Sequence, residues 1–358
     1  MAFNIHHMIS RESELWKTLW CWPKIELHRH LEGAIRLTTL LEAAAEFDIP
    51  LPAYDLEHLR PYVQIVEDDE PTFSVFLGKF NVLRQFYRSM ELIRRITREA
   101  VEDAARDNIS YFELRFTPHA LARQNDYTYQ SVIEAVCEET ARAAADFNIL
   151  TRLIVSVNRH ESVQIAEQVL DAALEVNDPQ IVGMDLAGQE AGHSARPFRS
   201  LFYRAREAGL HITVHAGEWA GPENVEDAIE HSLAERIGHG VRSVEDSLVL
   251  QLVRDRGVTL EVCPTSNLHS GVVRRIEHHP LPDLIYLGVP TTINTDDPSL
   301  SNITLTDELM LAHVGMGLPL HMIKDCILNA ARSAFLPDDE RARLVADIAT
   351  RLANAPAL

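Results

Sequence analysis

Residues 109–117 read ISYFELRFT, a run that alternates apolar and polar side chains as a β-strand does. The chain then enters a helical pattern at 129–148, a second strand-like run at 150–157, a helix at 162–176, a third strand at 181–186 and a helix at 197–208. Strands separated by helices pair parallel, through right-handed crossovers. The alternation continues in both directions. Upstream lie a strand at 25–28 and a helix at 38–47; downstream lie strands at 211–215, 236–238, 258–263 and 290–295, each followed by helical sequence. Eight such units predict an α/β fold, a closed TIM (β/α)8 barrel. The rival, an open doubly wound sheet, would want G-x-G-x-x-G after a strand, and the sequence has none.

A barrel needs about 250 residues, and the chain has 358. The excess falls between the first two strands. We therefore expect one barrel domain over 1–358, with 51–108 a helical insertion inside it. In that segment Phe73, Phe76, Leu77 and Phe80 keep helical spacing. Such a stripe reads first as core; over the open end of a barrel it would act as a lid. Thirty-three Lys and Arg against 53 Asp and Glu leave a net charge of −20, which argues against nucleic-acid or anionic-membrane partners. Apolar content of 46% and charged content of 24% exclude disorder and fibrous folds. The start, residues 1–16, has no apolar signal-peptide core. The apolar run 153–155 is far too short for a membrane helix. Cys21, Cys137, Cys263 and Cys326 are dispersed and read as small core residues, reduced thiols of a cytoplasmic protein.

Active sites of such barrels sit where the strands end. The first strand leads into His28-Arg29-His30-Leu31-Glu32-Gly33, whose two histidines, two apart on a strand, share a face suited to a metal. The fifth leads into His215-Ala216-Gly217-Glu218, the sixth into Gly238-His239-Gly240, and the eighth into Asn294-Thr295-Asp296-Asp297-Pro298. A lone histidine is most often structural. Four at three strand ends, with paired carboxylates at a fourth, point to a metal-dependent catalytic site. Glu218 could instead be a surface residue, and Asp296-Asp297 a helix-capping pair.

These four motifs, with Tyr111-Phe112-Glu113-Leu114-Arg115-Phe116-Thr117-Pro118-His119 and Gly183-Met184-Asp185-Leu186-Ala187-Gly188, resemble the adenosine deaminase family of the amidohydrolase superfamily. The resemblance spans about Pro23 to Leu336. It implies one catalytic zinc held by His28, His30, His215 and Asp296, other divalent metals being possible. It makes His239 the group that takes a proton from the attacking water and holds the result, with Asp296 orienting that water. It makes Glu218 the acid that protonates purine N1, Asp297 the contact to N7 and the Gly188 N–H the donor to N3. His30 and Glu32 would also face substrate, and Phe73, Phe76 and Phe80 would belong to the lid helix. The substrate would be a 6-aminopurine nucleoside, converted with water to its 6-oxo product and ammonia. Relatives with two metals carry a lysine at the end of the fourth strand, where this chain has Asp185-Leu186-Ala187-Gly188.

The chain departs from the family at two positions. Glu32 stands where an aspartate usually bonds the ribose 5′-hydroxyl, and Gln189 replaces a usual acid. A carboxylate at 32 should repel a 5′-phosphate, and Arg36 is the one nearby cation free to offset it. Adenine or a modified 6-aminopurine nucleoside is the alternative substrate, and a non-catalytic purine-binding relative is the other alternative. His160 and His193 read as pocket-wall residues.

Overall fold

The computed structural model describes residues 5–356, apart from the side chain of His6; residues 1–4, the tip of the polar start, lie outside the described residues. Eight strands form the core: β1 (Lys24–His30), β2 (Ile109–Phe116), β3 (Leu150–Asn158), β4 (Ile181–Ala187), β5 (His211–Ala216), β6 (Arg236–His239), β7 (Thr259–Val262) and β8 (Thr291–Ile293). Each pairs parallel with the next, in sequence order. Just past β8, Asp296 bridges back to β1: its N–H donates to the His28 carbonyl at 2.8 Å, and the His30 N–H donates to its carbonyl at 2.9 Å. The predicted TIM barrel is the fold observed. β1 runs two residues beyond its predicted end because Asp296 meets His28 and His30 across this seam, a contact invisible to local periodicity.

Local chemistry sets the helices. Thr128 caps Tyr129–Phe147 by accepting from the Ser131 N–H, and Ser162 caps Val163–Val176 by accepting from the Ile165 N–H. Both helices end at an asparagine in the left-handed region, Asn148 and Asn177. Within residues 51–108, the helix Met90–Arg106 packs on β2 and on Tyr129–Phe147 as a crossover helix of the outer ring. The helices Leu56–Val63 and Phe73–Leu83 pack instead on each other.

The barrel interior is charged rather than aliphatic. Glu261 on β7 joins Arg115 (2.7 Å), Arg236 (2.6 Å) and His28 (2.7 Å), and Arg236 also meets Glu113 at 2.5 Å. All five are buried. Burial alone would raise the Glu261 pKa, but Arg115 and Arg236 hold it well below the ordinary carboxylate range. One expectation fails here: Cys21 is exposed, at the last turn of the helix Glu14–Cys21, and only Cys137, Cys263 and Cys326 are core. No helix among the described residues is long and apolar enough to cross a membrane.

Candidate active site

His28, His30, His215 and Asp296 converge at the carboxyl ends of β1, β5 and β8, with their ligand atoms all within 4.8 Å of one another. His30 Nε2 lies 3.3 Å from His215 Nε2, and Asp296 Oδ1 lies 3.4 Å from both His28 Nε2 and His30 Nε2. The far side of two of the three rings is already held. His28 Nδ1 bonds Glu261 at 2.7 Å, and His215 Nδ1 bonds Asp185 at 3.0 Å. Carboxylates behind histidines fix tautomer and ring orientation, leaving Nε2 to face a metal. His28 Nε2 is buried and has no hydrogen-bond partner in the protein. Three imidazoles and a carboxylate fit zinc and leave room for a water. Cys263 also lies near His28 and His239, and burial pushes its thiol well above the ordinary range.

Two residues of the site turn the chain where they stand. His239 and Asp296 each take a left-handed φ of 61°, ending their strand or seam and aiming the side chain into the barrel mouth. His239 sits in a hydrogen-bond chain. The Leu281 N–H donates to His279 Nδ1, so His279 Nε2 carries the hydrogen and faces Asn267 Oδ1 at 3.3 Å. The Asn267 amide then donates to His239 Nδ1 at 3.2 Å. A neutral His239 therefore carries its hydrogen on Nε2, 3.6 Å from Glu218 and 3.9 Å from Asp296. Burial holds this imidazole well below its ordinary pKa, against the pull of Asp296. Nε2–H is thus the side of the His239 ring turned toward Glu218 and Asp296.

Glu218 is buried, and its Oε1 has no partner. Burial first, then the charges of Asp296 and Glu190, push its pKa well above the ordinary range. Asp297 is likewise buried with Oδ1 unpartnered, and is pushed up by burial and by Asp296 and Glu32. In both, the shift favours the protonated form. Neither is a surface residue, and the Asp297 side chain makes no helix-capping bond.

A cavity of about 120 Å³ opens on these groups. Phe76 and Phe80 line it, 2% and 9% exposed; the aromatic stripe is core and pocket wall at once. Phe73 does not line it but packs edge-on against Trp219, 4.0 Å between centroids. Trp219, with a buried indole N–H lacking a partner, does line it and was not singled out from sequence. Gly188 forms the wall opposite, at φ +83°; an added Cβ would sit 2.6 Å from His160 Nδ1. His160 lines the cavity, and the His193 ring lies 6.5 Å behind it. Glu32 accepts from the Thr117 N–H at 2.6 Å with one oxygen and keeps the other buried and free.

The structure corrects the cation expected near Glu32. Arg36 is committed to Asp103 (2.6 Å) and Glu102 (2.7 Å) and borders a separate cavity of about 360 Å³. Arg84, from the segment after the Phe73–Leu83 helix, lines the active cavity instead.

A parallel barrel with three histidines and an aspartate at its strand ends, backed by buried carboxylates, defines a metal-dependent amidohydrolase. The adenosine deaminase family model matches residues 23–351, and the chain belongs to that family. It is 38% identical over 333 residues to the adenosine deaminase of Pectobacterium atrosepticum, covering 93% of this chain and 98% of that one. Among solved structures it resembles a zinc-bound amidohydrolase from Burkholderia ambifaria (TM-score 0.87, 26% identity, 96% and 94% covered). It also resembles the adenine deaminase of Arthrobacter aurescens (TM-score 0.85, 28% identity, 92% and 98% covered).

Proposed function

We propose that this protein is a zinc-dependent aminohydrolase that converts adenosine and 2′-deoxyadenosine, with water, to the corresponding inosine and ammonia. The observation that carries this is a set of buried, unpartnered polar atoms: Glu218 Oε1, Asp297 Oδ1 and Glu32 Oε2 belong to residues that line one cavity, and His28 Nε2 faces the other ligand atoms. Each expects a ligand. Zinc held by His28, His30, His215 and Asp296 supplies Lewis acidity and lowers the pKa of a bound water toward neutrality. The protein's groups do the rest. Glu218, kept protonated, donates to N1 as water adds at C6, so that charge does not build on the ring. His239 Nε2–H and Asp296 hold the incoming oxygen. Protonated Asp297 donates to N7, and the Gly188 N–H to N3. Asp296 takes one proton from the water and passes it to the C6 amine, which leaves as ammonia as the C6–N bond breaks; the second proton, released when the C6 hydroxyl becomes the carbonyl, returns to Glu218. The whole operates as one barrel domain, 1–358, with the part of 51–108 that precedes Met90 covering its mouth, in a cytoplasmic setting without nucleic-acid or membrane partners.

Substrate choice is tested by kcat/KM for adenosine, adenine and AMP side by side, followed by ammonia release. Adenosine should be fastest. Adenine lacks the ribose and loses binding energy used for orientation, so its kcat should fall as well as its affinity. AMP must place its phosphate near Glu32, with exposed Arg84 as the one arginine among the described residues that lines the pocket to offset it. Adenine outrunning adenosine would mean that Glu32 excludes the sugar, and the free-base reading would replace this one.

Phe76→Ala should raise KM by more than it lowers kcat, because the metal set is untouched. Removing so buried a ring should also cost about 3 kcal/mol of stability. Steady-state kinetics with thermal melting separate the two effects; an unchanged KM would leave Phe76 as core alone.

A further inference from the structure

Glu190 lies just past the end of β4, beyond the motif that the family resemblance covers there, and is 1% exposed. Its carboxylate collects the backbone of the segment that leaves β5. Oε1 accepts from the Gly217 N–H at 2.7 Å and from the Asn224 amide at 3.0 Å. Oε2 accepts from the N–H groups of Glu218 (3.0 Å), Trp219 (2.8 Å) and Ala220 (3.0 Å). Four consecutive N–H groups facing one point form a nest of the kind that ordinarily binds an external anion. Here an internal carboxylate fills it. The nest depends on Gly217, at φ +64°, where an added Cβ would stand 2.5 Å from Val225.

The residue in the middle of this grip is Glu218. Its backbone cannot shift without breaking bonds to Glu190, so its side chain is aimed by a group that never faces the cavity. We infer that Glu190 is a positioning residue, which fixes the 217–220 turn so that the Glu218 carboxyl meets the purine ring in line for proton transfer. Only a carboxylate suits the place. Glutamine would turn an amide N–H2 toward one group of these donors, whichever way it faced. The nearby Glu190 charge also adds to burial and Asp296 in keeping the Glu218 proton in place.

This inference rests on Glu218 being the N1 acid, and a double-mutant cycle distinguishes the two. Glu190→Gln should lower kcat by roughly 10–100-fold, the scale of a small misplacement of a catalytic group. Zinc content and the inhibition constant of inosine should change by less than about threefold, since the ligand set and the Asp297 and Gly188 contacts to the ring are untouched. Placed in a Glu218→Gln background, Glu190→Gln should cost almost nothing more, because the group it aims is already gone. If its full penalty persists in that background, Glu190 acts on the fold at large and the inference is overturned. If Glu218→Gln alone keeps wild-type kcat, the acid assignment falls and takes this inference with it. Should Glu190→Gln fail to fold, Asn224→Ala removes one donor and leaves the carboxylate in place. It should show a smaller kcat loss that also vanishes beside Glu218→Gln, and a loss undiminished there would overturn the inference equally.

Discussion

Glu218→Gln should lower kcat by roughly 10²–10⁴-fold, the range in which a positioned general acid contributes, while zinc and inosine stay bound. Glutamine keeps the shape but has no proton to deliver to N1. Stability should move the other way. The folded protein raises the Glu218 pKa well above its ordinary 4.5, so it favours the protonated form more than the unfolded chain does. That contribution is complete below about pH 4.5 and is lost as pH rises through the raised folded value. Glutamine does not titrate. The melting temperature of the zinc-saturated variant should therefore decline less than that of the parent as pH rises above about 4.5. A kcat loss under tenfold, or identical pH slopes, would show that Glu218 neither holds nor gives the proton.

His215→Ala should abolish both metal and activity. The parent should carry about one equivalent of zinc, as a single set of three histidines and a carboxylate with a place left for water implies; the variant should retain a small fraction after dialysis. A second effect accompanies it, because His215 Nδ1 is bonded to the buried Asp185. Burial would raise that carboxyl, but His215 and Arg115 hold it low. Losing His215 leaves one oxygen short of a partner, at a cost of about 1–3 kcal/mol. Asp185→Asn separates the two roles: all four ligands remain, but the ring loses its anionic anchor, and zinc affinity should fall about 10–100-fold. Full activity of metal-free protein would end the zinc assignment, and unchanged affinity in Asp185→Asn would remove Asp185 from it.

The sequence by itself determined the barrel and the set of candidate ligands, because both rest on short-range regularities. Strand and helix periods announce themselves within ten or so residues. The histidines at 28 and 30 share a face through the two-residue period of β1, and Glu218, His239 and Asp296 follow directly on strand ends. What surrounds them came only with the tertiary structure. Glu261 reaches His28 from 233 positions away, and Asp185 reaches His215 from 30. Their sequence signal was a charged residue in the middle of an otherwise apolar strand, with nothing to say which histidine it would meet. Asn267 and His279, which set the hydrogen of His239, lie on elements that show no motif. Arg84 replaced Arg36 at the cavity, and Trp219 took the place next to the rings that Phe73 was expected to hold, since helix periodicity gives a face but not the direction in which it docks. Glu190 is the clearest instance. Its five donors belong to the next barrel unit, and a carboxylate becomes the anchor of a catalytic turn only once closure of the barrel sets β4 and β5 side by side.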